Sequence, residues 1–261
     1  MASALPSPTH DHHPPASRRY DAVDALRGLA MVWMTVFHFC FDLSHLDFWA
    51  QNFRADPFWT LQRTAIVSLF LFCAGLGQAI ALQQGQGWAR FGRRWVQIAG
   101  CALLVTLGSA LMFPRSFIYF GVLHGMAVML LVARCTAGWG RWLWLAGLVA
   151  VALPLAAQHL LAGAWPDAAP WFNSRALNWL GLVSRKPFTE DYVPVLPWLG
   201  VLWWGLASGQ WLLARRAKWL HWALPRALKP LAVLGRWSLS YYMLHQPVMI
   251  GLLMAIAWLG R

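Results

Sequence analysis

The sequence predicts an all-α polytopic membrane protein, a bundle of about seven transmembrane helices, and three observations lead to this prediction. Hydrophobic residues make up 59% of the 261-residue chain and charged residues only 11%, whereas a soluble domain carries roughly 25% charged residues. A spanning helix needs about 20 mainly apolar residues. About seven such stretches occur, near residues 22–43, 61–83, 95–113, 117–134, 141–162, 194–214 and 237–259. They do not alternate apolar with polar residues, which excludes the strands of a transmembrane barrel.

The distribution of positive charge predicts the orientation of the bundle. Thirteen of the 21 lysines and arginines fall in segments on the same side as the N-terminus, and seven fall in the opposite segments. Because positive residues favour the cytosolic side, we expect the N-terminus in the cytosol. The net charge of +12 is then explained by topology and by attraction to anionic lipid, so no nucleic-acid partner is predicted.

Two segments outside the spans define the domain organisation. Residues 1–20 are rich in proline, serine and histidine and lack the apolar core of a cleavable signal peptide. We therefore expect a disordered cytosolic tail, followed by a helical bundle over residues 21–261. Residues 163–193 form the longest connection and are expected on the outer side. The four cysteines have no close neighbour in sequence, which predicts neither a disulfide framework nor a metal site.

The first predicted span carries three ionisable residues, Arg27, His38 and Asp42. A charged residue at the centre of a membrane helix costs about 2.5–3.5 kcal/mol on insertion scales, so this cluster indicates a function. His38 lies eleven residues beyond Arg27, a rise of about 16 Å along a helix. Arg27 is thus expected near the cytosol and His38 toward the outer half. Asp42 follows His38 by one turn, where its carboxylate is predicted to orient the imidazole.

Two further histidines lie inside apolar stretches, His124 in the fourth span and His245 in the seventh. Apolar residues flank both, so neither side chain reaches water easily. Histidines also hold membrane helices together through hydrogen bonds, and this explanation competes for each one taken alone. Together with His38, they predict a polar cavity inside the bundle.

Arginines gather before the third span, in the segment WARFGRRW, where they are Arg90, Arg93 and Arg94. Arg90 and Arg93 are three residues apart and would share one face of a helix. Forked guanidinium groups suit phosphate oxygens. Two interpretations of these arginines remain: they contact lipid phosphates, or they hold a phosphorylated ligand.

Four segments then carry a resemblance to a known family. In chain order they are DALRGLAMVWMTVFHFCFDL, FGVLHG, VPVLPWLG and SLSYYMLHQPV, spread across residues 21–251. They resemble the small bacterial relatives of the lysosomal heparan-α-glucosaminide N-acetyltransferase. The ten residues between Arg27 and His38 are similar to the arginine-histidine signature of wider transmembrane acyltransferases that modify bacterial surface sugars. Arg90 and Arg93 resemble the paired cytosolic arginines of those enzymes.

The resemblance implies a membrane-bound acyltransferase of the bacterial inner membrane. Its co-substrate would be cytosolic acetyl-CoA, and its acceptor an amino or hydroxyl group of a sugar or glycan on the outer face. The phosphates of coenzyme A would be held by Arg27, Arg90, Arg93 and Arg94. The lipid bilayer is the remaining expected partner, and a homo-oligomer stays open.

The resemblance also implies roles for the histidines. Acyl transfer needs a base or a nucleophile, and stabilisation of an oxyanion. His38 is the first candidate for base or transient acyl carrier, with Asp42 as its orienting partner. His124 and His245 would shape the pocket, polarise the thioester carbonyl or bind the acceptor. In the lysosomal enzyme the proposed catalytic histidine aligns nearer to His45, which makes His45 a second catalytic candidate.

Two other classes of protein remain as alternatives. Intramembrane histidine, aspartate and arginine are residues that a proton-coupled transporter would use, although no internal repeat stands out in the sequence. Histidines from different helices could instead ligate haem in an electron-transfer protein.

Overall fold

A computed structural model describes residues 19–53, 55–220 and 222–259 of the chain. These residues form a helical bundle, and within them no strand occurs, only an isolated bridge between Phe120 and Tyr192. The long helices are α1 (Asp21–His45), α2 (Pro57–Gln83), α3 (Trp88–Met112), α4 (Val122–Thr136), α5 (Trp142–Ala162), α7 (Val195–Arg215) and α10 (Ser238–Leu259). The short ones are α6 (Ala169–Asn173), α8 (Ala217–Leu220) and α9 (Lys229–Arg236). The predicted all-α membrane bundle is confirmed.

Helix α7 lies at the centre of the bundle. It packs against α2, α4 and α5, and its buried residues include Leu202 and Leu206. By length and composition, α1 to α5 and α10 are apolar enough to cross a membrane. Helix α7 is as long but carries four tryptophans and Gln210, which lower its hydropathy. Surrounded by other helices, α7 has less need of an apolar surface than a helix that faces lipid.

Three helices begin several residues away from their predicted starts. Helix α2 begins at Pro57 instead of residue 61, and the corrections to α3 and α4 affect the site. Helix α3 begins at Trp88 instead of residue 95. Its first two turns contain three arginines, which a count of apolar residues leaves out of the span. Helix α4 begins at Val122 instead of residue 117. The preceding residues are held by other bonds, such as the one from the Ile118 amide to the Ser109 hydroxyl at 2.9 Å. Of the predicted tail over residues 1–20, residues 1–18 lie outside the described part.

Glycines allow three pairs of helices to approach closely. A Cβ atom on Gly205 of α7 would lie 2.2 Å from the Phe72 carbonyl oxygen of α2, and one on Gly75 of α2 would lie 2.2 Å from the Leu202 carbonyl oxygen. The α5–α7 and α1–α9 contacts use glycines in the same way, at Gly147, Gly200, Gly28 and Gly235. Small residues at such contacts are typical of membrane helices, whose association depends on packing.

Replacing Gly205 with alanine is expected to lower the unfolding temperature, because the added methyl group collides with backbone of α2. Overpacking of this kind costs about 1–3 kcal/mol. The measurement is thermal unfolding of the purified protein in one detergent. Gly251→Ala on α10 is the matched control, since a Cβ atom there meets nothing within 4 Å. An equal effect of the two substitutions would contradict close packing of α2 on α7.

Candidate active site

One large cavity opens at the end of the bundle where α1 and α3 begin. Its volume is 1290 Å³, and side chains of α1, α2, α3, α4 and α10 line it. All four arginines predicted to hold phosphates lie on its wall, namely Arg27, Arg90, Arg93 and Arg94. Pockets for drug-sized ligands are usually about 300–1,000 Å³, so this one has room for a larger ligand.

The arginines of this cavity differ in their pairing. Arg27 forms a salt bridge of 2.8 Å with Asp24, while Arg236 of α9 pairs with Asp21 at 2.7 Å. In the described ranges, none of the three arginines of α3 forms an ion pair with a carboxylate. Unpaired guanidinium groups around a cavity favour an anionic ligand. We call this wall, formed by Arg27, Arg90, Arg93 and Arg94, the arginine wall.

Arg134 of α4 stabilises the connection that brings α3 to the cavity. Its guanidinium donates a hydrogen bond to the Gln86 carbonyl and lies 5.2 Å from the centre of the Trp88 ring and 5.4 Å from that of Phe91. These contacts hold the start of α3, and therefore the position of the arginine wall. Arg134 itself does not line the cavity.

The structure brings two of the predicted histidines together deep in the bundle. The ring centres of His38 on α1 and His245 on α10 are 5.3 Å apart, at 57° to each other. His245 Nδ1 lies 2.8 Å from the Tyr242 carbonyl oxygen. A carbonyl only accepts, so Nδ1 carries the proton and Nε2 of the neutral ring has a free lone pair. Nε2 is buried and has no partner among the described residues.

Asp42 does not contact His38 in the way the sequence predicted. Its Oδ1 instead accepts a hydrogen bond of 2.8 Å from the Gln246 amide on α10, and the residue is 3% exposed. Asp42 Oδ2 and Gln246 Oε1 are buried without a partner in the described chain. With His245 Nε2, they make three unsatisfied acceptors on two facing helices. Because buried polar atoms are normally hydrogen-bonded, this cluster suits a ligand that brings hydrogen-bond donors.

Tyr242 separates the cavity from the histidine pair. It lines the cavity, its ring stacks on Phe70 with centres 6.4 Å apart, and its ring centre lies 5.7 Å from that of His245. Arg27 of the arginine wall and His38 of the histidine pair thus lie at successive depths along α1. Arg27 and His38 are separated by about 16 Å along α1.

His45 lies apart from the histidine pair, at the last residue of α1. Its ring stacks on Phe41, with centres 6.1 Å apart, and meets Phe113 edge-on. It lines a second cavity of 250 Å³ with polar neighbours that include Gln51 and Glu190. His38 and His45 therefore belong to different sites on the same helix, about 10 Å apart along its axis.

Comparison with known families decides the identity of the chain. A family profile described as heparan-alpha-glucosaminide N-acetyltransferase, catalytic, matches residues 19–247. The chain belongs to this family. Comparisons with curated proteins and with solved structures gave no match. Membership of the heparan-alpha-glucosaminide N-acetyltransferase catalytic family makes the protein a membrane acetyltransferase in general terms. The matched range includes the arginine wall and both members of the histidine pair.

His124 occupies another position in this acetyltransferase than the central pocket that the sequence suggested. Its Nδ1 accepts from the Gly121 amide at 3.2 Å, and its Nε2 lies 2.9 Å from the Thr106 hydroxyl. Both nitrogens are thus used at the N-terminus of α4, where the Asp191 carboxylate also accepts from the Val122 amide at 2.8 Å. Burial raises the pKa of the Asp191 carboxyl. His124 stabilises this helix start and lines neither cavity.

Two polar residues of the candidate site were not predicted from the sequence. Gln246 is the partner of Asp42, and its position directly after His245 was the only signal. Gln78 of α2 lines the large cavity and is almost completely buried. An amide in the middle of an apolar span was a signal, but a single glutamine is also common in helix contacts.

Proposed function

We propose that this membrane acetyltransferase takes acetyl-CoA as its co-substrate and acetylates an amino or hydroxyl group of a sugar or glycan. The observation that supports this most is the arginine wall. Residues more than sixty positions apart, Arg27 and Arg94, line one cavity of 1290 Å³. Coenzyme A carries several phosphates, and charge-assisted bonds to forked guanidinium groups are the strongest contacts available to them.

The histidine pair supports the transfer step. A neutral histidine, His38 or His245, would take the proton of the acceptor as its oxygen or nitrogen attacks the thioester carbonyl. A tetrahedral oxyanion forms, the bond from carbon to sulfur breaks, and the histidine returns the proton to the coenzyme A thiolate. In the alternative route His38 carries the acetyl group before the acceptor attacks it. Asp42 would stabilise the cation formed in either route.

The acceptor side is proposed at the opposite end of the bundle. There the cavity beside His45 combines aromatic and polar side chains, a composition that suits a sugar, and His45 remains a second catalytic candidate. In this arrangement the arginine wall faces the cytosol, where acetyl-CoA is made, and the N-terminus lies on that side of a bacterial inner membrane. The positive charge at this end of the bundle supports that orientation.

The proposal is tested by titrating acetyl-CoA into the full chain in lipid nanodiscs, followed by mass spectrometry of amino sugars and glycans offered as acceptors. We expect saturable binding and a mass gain of one acetyl group. A protein that does not bind acetyl-CoA by calorimetry or thermal shift would disprove the function. A strong haem band in its visible spectrum would favour the electron-transfer alternative instead.

Replacing His38 with alanine is expected to remove acetyl transfer while the protein stays folded. General base or nucleophilic participation is worth about 10²–10⁴ in rate, and the centre of the His38 ring lies 5.3 Å from that of His245, whose Nε2 is unsatisfied. The readouts are the transfer rate and the unfolding temperature of the same preparation. Full activity of the variant would assign the chemistry to His245 or His45.

A further inference from the structure

Gln78 lines the large cavity, and its side chain carries a buried, unsatisfied hydrogen-bond donor. The residue lies on α2, is 6% exposed, and lines the cavity together with the arginine wall. Its Nε2 is buried and finds no partner within the described ranges. An unpaired buried donor costs about 1–3 kcal/mol. Such a group in a native structure needs an explanation, and a ligand that accepts the hydrogen bond is one.

The position of Gln78 points to the kind of atom that would accept this bond. A Cβ atom placed on the adjacent Gly77 would lie 3.1 Å from Arg27 Nη2, so this part of α2 touches the arginine wall. Gln78 lies five residues before the end of α2, and Arg94 lies six residues after the start of α3. Both are therefore about 7–9 Å inside the bundle. The backbones of Gln78 and Arg94 therefore lie at about the same depth.

The surroundings of Gln78 leave space for a ligand. Three of the neighbouring residues that α2 contributes to the cavity are small, namely Ala74, Gly77 and Ala81, and Ile80 adds an apolar side chain. Between Phe70 and Ala81, a stretch that is fully described, Gln78 is the only polar side chain that α2 adds to the cavity wall. A ligand lying along this face would meet one amide donor among apolar groups.

We propose that Gln78 is a binding residue for the acetyl donor, its terminal amide rotating so that its N–H donates a hydrogen bond to a phosphate oxygen of coenzyme A beside the Arg27 guanidinium. This inference rests on the proposed function. The amide adds direction without adding charge, so it selects the position of the phosphate along the arginine wall. The cost of leaving Nε2 unpaired is offset when the donor binds.

The effect of replacing Gln78 on stability distinguishes a structural role from a ligand-binding role. A glutamine that holds helices together uses its donors within the bundle, and its loss destabilises the protein. Gln78 leaves its donor unused, so an apolar side chain of similar shape is expected to leave the unfolding temperature unchanged or to raise it. Binding and stability should therefore respond in different directions to one substitution.

The test is Gln78→Leu in the full chain, purified in nanodiscs, with coenzyme A binding measured by calorimetry. Loss of a hydrogen bond to a charged group weakens binding about tenfold to a hundredfold, and we expect a dissociation constant raised by that factor. The unfolding temperature should not fall. Gln83→Leu is the matched control, because Gln83 is exposed near the end of the same helix and does not line the cavity.

A double substitution tests whether Gln78 and Arg27 hold the same phosphate. Residues that share a partner show losses that do not multiply independently, so Gln78→Leu should weaken binding less in an Arg27→Gln background than in the wild type. Independent losses would overturn the shared phosphate. Unchanged affinity of Gln78→Leu, or weakened affinity with a lower unfolding temperature, would overturn the role of Gln78. Absence of coenzyme A binding by the wild type would instead disprove the proposed function.

Discussion

Replacing His245 with glutamine is expected to lower the rate of acetyl transfer by about 10²–10⁴, the usual contribution of a general base, while coenzyme A binding is retained. The backbone carbonyl of Tyr242 holds the proton on Nδ1 and leaves the Nε2 lone pair free and buried. Glutamine places an amide near the position of Nε2, but an amide does not take up a proton at neutral pH. The measurement is the single-turnover rate with acetyl-CoA and an acceptor.

The control for this prediction is His159→Gln, at an exposed position on α5 outside both cavities. This variant should transfer acetyl groups at the wild-type rate. If His38→Gln abolishes transfer and His245→Gln does not, the base or carrier is His38, and His245 positions it through the ring contact of 5.3 Å. If both variants are inactive, the two histidines work as a unit, because the effects on rate of substitutions within one catalytic group are not additive.

Replacing Arg90, Arg93 and Arg94 together with glutamine is expected to weaken coenzyme A binding at least about a hundredfold. A single hydrogen bond to a charged group contributes roughly 1.5–3 kcal/mol, and these three side chains line the cavity without ion-pair partners in the described chain. The measurement is calorimetry at two salt concentrations. Wild-type binding should weaken with salt more steeply than binding by the variant, because charge attraction is screened.

A matched control distinguishes the effect of the arginine wall on coenzyme A binding from that of the general positive charge at the same end of the bundle. Arg141, Arg215 and Arg216 are exposed and do not line the cavity. Their joint replacement by glutamine removes the same three charges. We expect coenzyme A affinity to stay within a few-fold of wild type. Similar losses in the two triple variants would contradict a phosphate site and favour non-specific attraction.

The fold was accessible from the sequence because a bilayer imposes one simple rule. Every backbone polar group in lipid must be satisfied within its own segment, so long apolar stretches predict helices directly. Counting apolar residues gave a wrong start for α3, because the count leaves out the helical turns that carry Arg90, Arg93 and Arg94. The count also gave a wrong start for α4, where side chains such as that of His124 accept hydrogen bonds from backbone amides before the helix begins.

The site was accessible only in part. The cost of ionisable groups in lipid made His38 and His245 candidates, and charge clustering made the arginines candidates, from the sequence alone. Which of them meet was beyond sequence reasoning, because contacts across helices depend on the rotation of each helix and on the glycines between them. The sequence predicted Asp42 as the partner of His38, whereas in the structure its carboxylate accepts a hydrogen bond from Gln246.

By itself the sequence determined the helical membrane architecture and the candidate residues of the site, since both follow from the energetic cost of placing each side chain and amide in lipid. The tertiary structure alone decided that α1 and α10 bring two histidines within 5.3 Å, and that α1 and α3 line one cavity with arginine. It also placed His124 at a helix start and left Gln78 Nε2 without a partner. The physical reason is that packing fixes distances between helices, and no local pattern encodes them.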